Sequence, residues 1–160
     1  MSRAALFPII IACLMASMVA VMGATATSIG PWYHALVQPR WAPPDAAYGV
    51  AWITIYAFTA LAGVNGWLAA PTWREREWLL GLFALNGFLN IAWSMLFFQF
   101  HRPDWSEVEA IVLWISVLAL IITIWRRSMT GAILLVPYLL WITFAGWLNM
   151  AIVRLNGPFS

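Results

Sequence analysis

The chain has 160 residues, 64% of them hydrophobic and 9% charged, with a net charge of +2, where a soluble domain carries roughly 45–50% apolar and about 25% charged residues. A water-soluble fold would expose apolar side chains over much of its surface, so that class is excluded, together with disordered chains, collagen and disulfide scaffolds. One cysteine, Cys13, rules out an internal disulfide or a thiolate cluster, and scattered arginines form no basic stripe for nucleic acid.

A membrane-spanning helix takes roughly 20 mainly apolar residues, and the charges and prolines leave room for five: Ala4–Ala24, Ala46–Ala70, Trp78–Phe100, Trp105–Trp125 and Ala132–Val153. Runs such as Ile111–Ile124 show no apolar–polar alternation, which argues for helices and against a barrel. The prediction is an all-α integral membrane protein, a single domain over residues 1–160 built as a five-transmembrane-helix bundle with a long structured first loop.

In the first span Ala12, Ala16, Ala20 and Ala24 recur every four residues and make a stripe for close helix packing. A cleavable signal peptide is the rival reading, from Arg3, the apolar run Leu6–Val21 and Ala24-Thr25-Ala26. The connection Thr25–Asp45 follows, and its Pro31, Pro39, Pro43 and Pro44 forbid one continuous helix. Its Trp32, Tyr33 and Trp41 suit an interfacial aromatic belt or, stiffened by the prolines, a lid over the bundle; both readings stand.

The second span sets Trp52 and Tyr56 one helical turn apart. Trp73–Trp78, WREREW, reads as a solvated turn with tryptophan anchors. In the third span Asn86, Asn90 and Trp93 share a face, and asparagine amides must point at protein or a cavity, because hydrocarbon cannot satisfy them. Asn86 is expected to bond between helices, whereas Asn90 and Asn149 are open to a ligand. Asp104, Glu107 and Glu109 near the start of the fourth span are expected to serve the helix dipole. In the fifth span Pro137 predicts a kink that opens the bundle locally, and Tyr138, Trp141, Ala145 and Asn149 form a stripe of rings, space and polar handles suited to an apolar ligand.

Arg3, Arg74, Arg76, Arg126 and Arg127 fall on one side of the membrane and Arg40, Arg102 and Arg154 on the other, which places the N-terminus inside. No GxSxG, Walker A, GxGxxG or HExxH pattern is present, and His34 and His101 stand alone in loops as solvated histidines, so neither a metal site nor conventional catalysis is expected. No buried carboxylate or arginine pair is evident that would couple transport to protons.

Four ordered segments carry a family resemblance. The first loop, Trp32-Tyr33-His34-Ala35-Leu36-Val37-Gln38-Pro39-Arg40-Trp41-Ala42-Pro43-Pro44, is similar to WYxxLxKPxWxPP, with Arg40 after the proline. Trp52 through Tyr56 resembles W-x-x-L-Y with Ile55 in the leucine place, and Leu89-Asn90-Ile91-Ala92-Trp93 through Phe98 resembles LNxxWxxxFF. Pro137-Tyr138-Leu139-Leu140-Trp141, Phe144-Ala145 and Leu148-Asn149 follow PYLxWxxFAxxLN. The chain thus resembles the TspO/MBR family of tryptophan-rich sensory and translocator proteins over nearly its whole length.

That resemblance implies a homodimeric bundle with a pocket beneath the first loop for porphyrins, sterol-like lipids and other flat hydrophobic molecules. It assigns Trp52, Tyr56, Asn90, Trp93, Trp105, Tyr138, Trp141, Ala145 and Asn149 to the pocket. As a lid, the loop would add Trp32 and Trp41, with Arg40 or loop amides meeting the propionates of a protoporphyrin IX-like ligand. No cofactor is required; porphyrin enters as ligand. Met150 stands where the family's sterol-associated consensus before Arg154 has tyrosine, which weakens the case for sterols. The functions implied are a receptor or carrier for tetrapyrroles linked to stress or pigment control, light- and oxygen-dependent porphyrin breakdown through Trp52 and Trp141, or a structural assembly role. A bacterial inner membrane is the default location, with outer membrane or mitochondrial outer membrane also open under the resemblance.

Overall fold

The computed structural model describes residues 3–159, with side chains described from residue 6 onward; the Arg3 side chain used in the charge count therefore lies outside the described residues. Five long helices are present: α1 (Arg3–Ala26), α3 (Asp45–Ala69), α4 (Trp73–Ser94), α5 (Pro103–Trp125) and α6 (Met129–Asn156). A short helix, α2 (Pro31–Ala35), sits in the first loop, and α4 passes into a π-helical segment, Met95–Gln99. All five long helices are long and apolar enough to cross a membrane, and they cover themselves outwardly with apolar side chains such as Ile53, Phe88, Ile111 and Leu140. Water would penalise such a surface and hydrocarbon does not. This is an integral multi-pass membrane protein.

Local chemistry sets the helix ends. Thr72 accepts the Glu75 backbone N–H at 3.2 Å and caps α4, so WREREW forms the first turns of α4 instead of the expected loop, and the connection shrinks to the residues around Pro71. Ser128 caps α6 in the same way through the Gly131 N–H at 3.1 Å, which starts that helix three residues earlier than the hydropathy suggests. At this end of the bundle Arg127 meets Glu75 at 3.1 Å in an exposed pair. Glu75→Gln is expected to cost under about 0.5 kcal/mol; thermal unfolding at low and high salt checks this, with the difference vanishing at high salt.

α5 packs most extensively on α6, while α1 lies against α3 and α4. Val117, Leu120, Ala132 and Leu135 have no accessible surface and fill the α5–α6 seam, joined by Ala62 of α3. The first part of the alanine stripe of α1 faces this chain's own helices, for Ala12 and Ala16 line a cavity against α3 and α4, whereas Ala24 is exposed. Gly87 lets Val19 of α1 approach α4, since a Cβ there would lie 2.8 Å from Val19 Cγ2. α6 continues through Pro137, and its neighbours Leu135 and Tyr138 are buried; the local opening expected at the proline is therefore not seen.

Candidate functional site

Midway along the bundle three helices exchange side-chain hydrogen bonds. Tyr56 of α3 donates its hydroxyl to Asn90 Oδ1 at 3.0 Å, and Asn90 Nδ2 donates to the Tyr138 hydroxyl of α6 at 3.2 Å. One turn away Asn86 Nδ2 donates to Ser116 Oγ of α5 at 2.9 Å, the interhelical bond expected of it. Buried amides are satisfied here by partners on other helices, as an interior without water demands.

Above this floor, toward the long loop, the rings converge. Trp52 stacks on Tyr56 with centroids 5.5 Å apart and meets Trp141 edge to face at 6.5 Å and Tyr138 at 6.1 Å. Trp141 continues to Tyr48 at 6.0 Å and Phe144 at 5.6 Å. On the α4 side Trp93 stacks on Phe97 at 5.3 Å. Such pairs are held by quadrupole complementarity as well as burial, so the predicted Trp52, Tyr56, Tyr138 and Trp141 form one ring assembly with Asn90 hydrogen-bonded to it, while Trp93 belongs to a second ring group with Phe97 and Phe98. Ala145 lies half-buried one turn from Trp141 on α6.

The first loop supplies a roof, with each aromatic in a different role. Trp32 is half-buried, packs on Phe97 at 5.8 Å and stacks on His101 at 4.2 Å, while Tyr33 is buried against Phe98. Trp41 is exposed and packs on Phe144 and Trp147 of α6, a position suited to a belt. The lid reading thus fits Trp32 and Tyr33, the belt reading Trp41. The loop is clasped to the end of α6 by reciprocal bonds: Val37 N–H donates to Asn156 Oδ1 at 2.8 Å, and Asn156 Nδ2 donates to the Val37 carbonyl at 3.0 Å. Gln99 of the π segment donates to the Ala26 carbonyl at 2.8 Å and ties down the loop's other end.

Three predicted residues stand apart. Arg40 is exposed on the loop. Trp105 points outward, 56% exposed, with the Arg102 guanidinium 4.3 Å above its ring. Arg102 also donates from Nε to Asp104 Oδ1 at 2.8 Å, and this hydrogen bond raises the guanidinium pKa above its ordinary value. Asn149, 1% exposed, turns its amide to α5, donating to the Pro103 carbonyl at 3.1 Å and Ser106 Oγ at 2.9 Å.

His101 is exposed in its loop as expected, and it also stacks on Trp32 and takes a left-handed backbone, φ 54°, where the π segment turns into α5. One sequence expectation is corrected. Glu109 lies beyond the first turn of α5, too far in to draw on the helix dipole, and both carboxyl oxygens are buried without a partner. A buried carboxyl group therefore does exist within the bundle. Tyr48, Phe97 and Phe144 were also missed, although each is three or four residues from a predicted ring and so readable from helical spacing.

An apolar cavity of ≈ 80 Å³ opens between α1, α3 and α4, bounded by Phe7, Trp67, Leu79 and Phe83 and reaching Tyr56 and Tyr138. It extends from the polar floor away from the first loop, whereas the resemblance implied space beneath that loop. There the aromatic rings are packed on one another, so a ligand must part them or enter from the far side.

Comparison with known proteins matches the sequence to described relatives. The TspO/MBR family model matches residues 7–155. The chain is 38% identical to the tryptophan-rich protein TspO of Chlorobaculum tepidum over 130 residues, 78% of this chain and 80% of that protein. It is 33% identical to protein CrtK of Rhodobacter capsulatus over 141 residues, 86% and 87% of the two chains. With the translocator protein of Homo sapiens it shares 30% identity over 126 residues, 78% of this chain and 75% of the other. Five spans, the tryptophan-lined assembly and a family match over nearly the whole chain lead to one conclusion: this protein belongs to the TspO/MBR family.

Proposed function

We propose that the protein is a membrane receptor or carrier that takes flat hydrophobic tetrapyrroles of the protoporphyrin IX type between α3, α4 and α6. The observation that carries this reading is the edge-to-face pair of Trp52 and Trp141 at 6.5 Å, seated on the Tyr56–Asn90–Tyr138 hydrogen-bonded floor. Two indoles at right angles offer a face and an edge to an inserted disc, and separating them exposes the rings that would stack on it. Arg40 on the exposed loop supplies a cation for propionates left at the interface. The relatives' names, translocator and sensory protein, agree with a ligand-handling role.

The test is a dark titration of the purified protein with protoporphyrin IX, following tryptophan quenching and the Soret band. Saturable binding is expected, weakened about five- to tenfold in Trp52→Phe/Trp141→Phe as indole stacking area is lost. Non-saturating partition, equal in both proteins, would overturn the pocket and favour a structural role. The closeness of Trp52 and Trp141 also favours a second reading, light-driven breakdown of the bound porphyrin, which requires product accumulation over many turnovers under light and oxygen.

A further inference from the structure

Independently of the aromatic assembly, we propose that the end of the bundle opposite the first loop binds one anionic phospholipid, its phosphodiester on Arg126 and an acyl chain along α5. A cavity of ≈ 390 Å³ opens there between the end of α3, the start of α4 and the end of α5. Small-molecule sites typically measure about 300–1,000 Å³, so the space suffices for a headgroup. The lining is divided in character. Arg126, Arg127 and Glu75 make its charged side, and Ala70, Trp78 and Ile122 belong to its apolar side.

Charge decides the class of headgroup. Arg127 is occupied by Glu75 at 3.1 Å, whereas Arg126 is exposed and has no ion pair among the described residues. Two arginines and one carboxylate leave the lining with a net charge of +1, which matches a singly charged phosphodiester. A zwitterionic headgroup would bring a cation that the spare guanidinium repels. On the first turns of α4, Arg74 and Arg76 outweigh Glu77 and add to the same field. Helix-end carbonyls offer little opposition, because those of Gly66 and Ile124 already accept backbone N–H groups and that of Ala70 accepts from Arg76 Nε at 3.3 Å.

Depth decides that the phosphate comes with chains. Trp73, Trp78 and Trp125 are all exposed at this end, and exposed tryptophans favour the headgroup level of a bilayer. Ile122 stands one turn before Arg126 on α5, and Ile115 two turns before Ile122; both are exposed. An apolar track therefore leads from the guanidinium toward the middle of the membrane, and a free phosphate would leave it unused. Arginine grips a phosphate through two parallel N–H bonds, and basic pockets between transmembrane helices hold anionic headgroups by the same chemistry.

The test uses the full chain in dodecyl maltoside micelles, with lipid adducts counted by native mass spectrometry. The probes are dioleoylphosphatidylglycerol; dioleoylphosphatidylcholine, with the same chains and no net charge; and inorganic phosphate, with no chains. One phosphatidylglycerol per chain is expected to bind about tenfold or more tighter than phosphatidylcholine. Arg126→Gln is expected to remove that preference. Arg74→Gln, which changes an exposed arginine at the same end but outside the cavity lining, should alter it by less than about twofold. Equal weakening in the two variants would mean diffuse attraction to a basic surface and overturns the site. An absent preference in the wild type, or one unchanged in Arg126→Gln, overturns it as well. Displacement of phosphatidylglycerol by an equal concentration of inorganic phosphate would give the cavity to a free anion and overturns the lipid. Because Arg126 is exposed and unpaired, its replacement should leave the fold intact, which thermal unfolding of the lipid-free variants checks.

Discussion

Asn90→Leu is expected to destabilise the bundle by about 2–3 kcal/mol, measured by equilibrium unfolding in mixed micelles. Asn90 links Tyr56 of α3 to Tyr138 of α6, accepting from the first at 3.0 Å and donating to the second at 3.2 Å. Interhelical hydrogen bonds in membranes average about 0.6 kcal/mol and reach about 1.7. Leucine has the right volume but removes both bonds, and it strands the Tyr138 hydroxyl, whose ring is buried. A buried polar group without a partner adds about 1–3 kcal/mol. A double-mutant cycle isolates the pair: Asn90→Leu in a Tyr138→Phe background should cost clearly less than in the wild type, because the orphan is gone. Strict additivity of the two substitutions would show that the bond between them contributes nothing. The same substitution should weaken porphyrin binding, since the Trp52 and Trp141 rings rest on this floor.

Gly66→Val is expected to lose about 2–3 kcal/mol, read by the same unfolding measurement. Gly66 stands where α3 crosses α4 and α5, and a Cβ there would fall 2.8 Å from Leu79 Cδ2 and 3.2 Å from Ile124 Cγ1. Leu79 and Ile124 are both buried, and although they border a cavity of ≈ 390 Å³ beside Gly66, a Cβ at this position needs both to move at once. Valine adds two further methyl groups against them and drives the helices apart. Gly81→Ala is the counterpart. That glycine faces outward on α4 with nothing within 4 Å of an added Cβ, and alanine should raise stability by up to about 1 kcal/mol through helix propensity. Equal effects at the two sites would mean that crowding at the three-helix crossing is not what selects glycine.

Much of this architecture is legible before any coordinates. Each span announces itself by the length of its apolar run, a local property set by the thickness of hydrocarbon. Asn90, Trp93, Tyr138 and Trp141 are marked as inward by the cost of an amide in lipid and by spacing of three and four residues. Boundaries slipped where capping outweighed hydropathy: the Thr72 and Ser128 hydroxyls start α4 and α6 earlier than the apolar runs do.

Faces were harder than spans. In water an apolar stripe shows which side of a helix is buried, but lipid is as apolar as a protein core, so that signal is lost. Trp105, assigned to the pocket by its resemblance, turns outward beneath Arg102, while Glu109, four residues later, turns its carboxyl inward. Nothing local distinguishes them; the rotation of α5 is fixed by Asn149 and Ser116 bonding to other helices. The clasp of Val37 on Asn156 spans 119 residues, and the Trp32–His101 stack joins two loops. Such contacts exist only once the helices have met. By itself, the sequence determined the membrane, the five spans, the family and most of the aromatic assembly, because these follow from local hydropathy and helical spacing. The tertiary structure decided which polar groups find partners and which are left without one, because hydrogen bonding in an interior without water depends on how helices are rotated against one another.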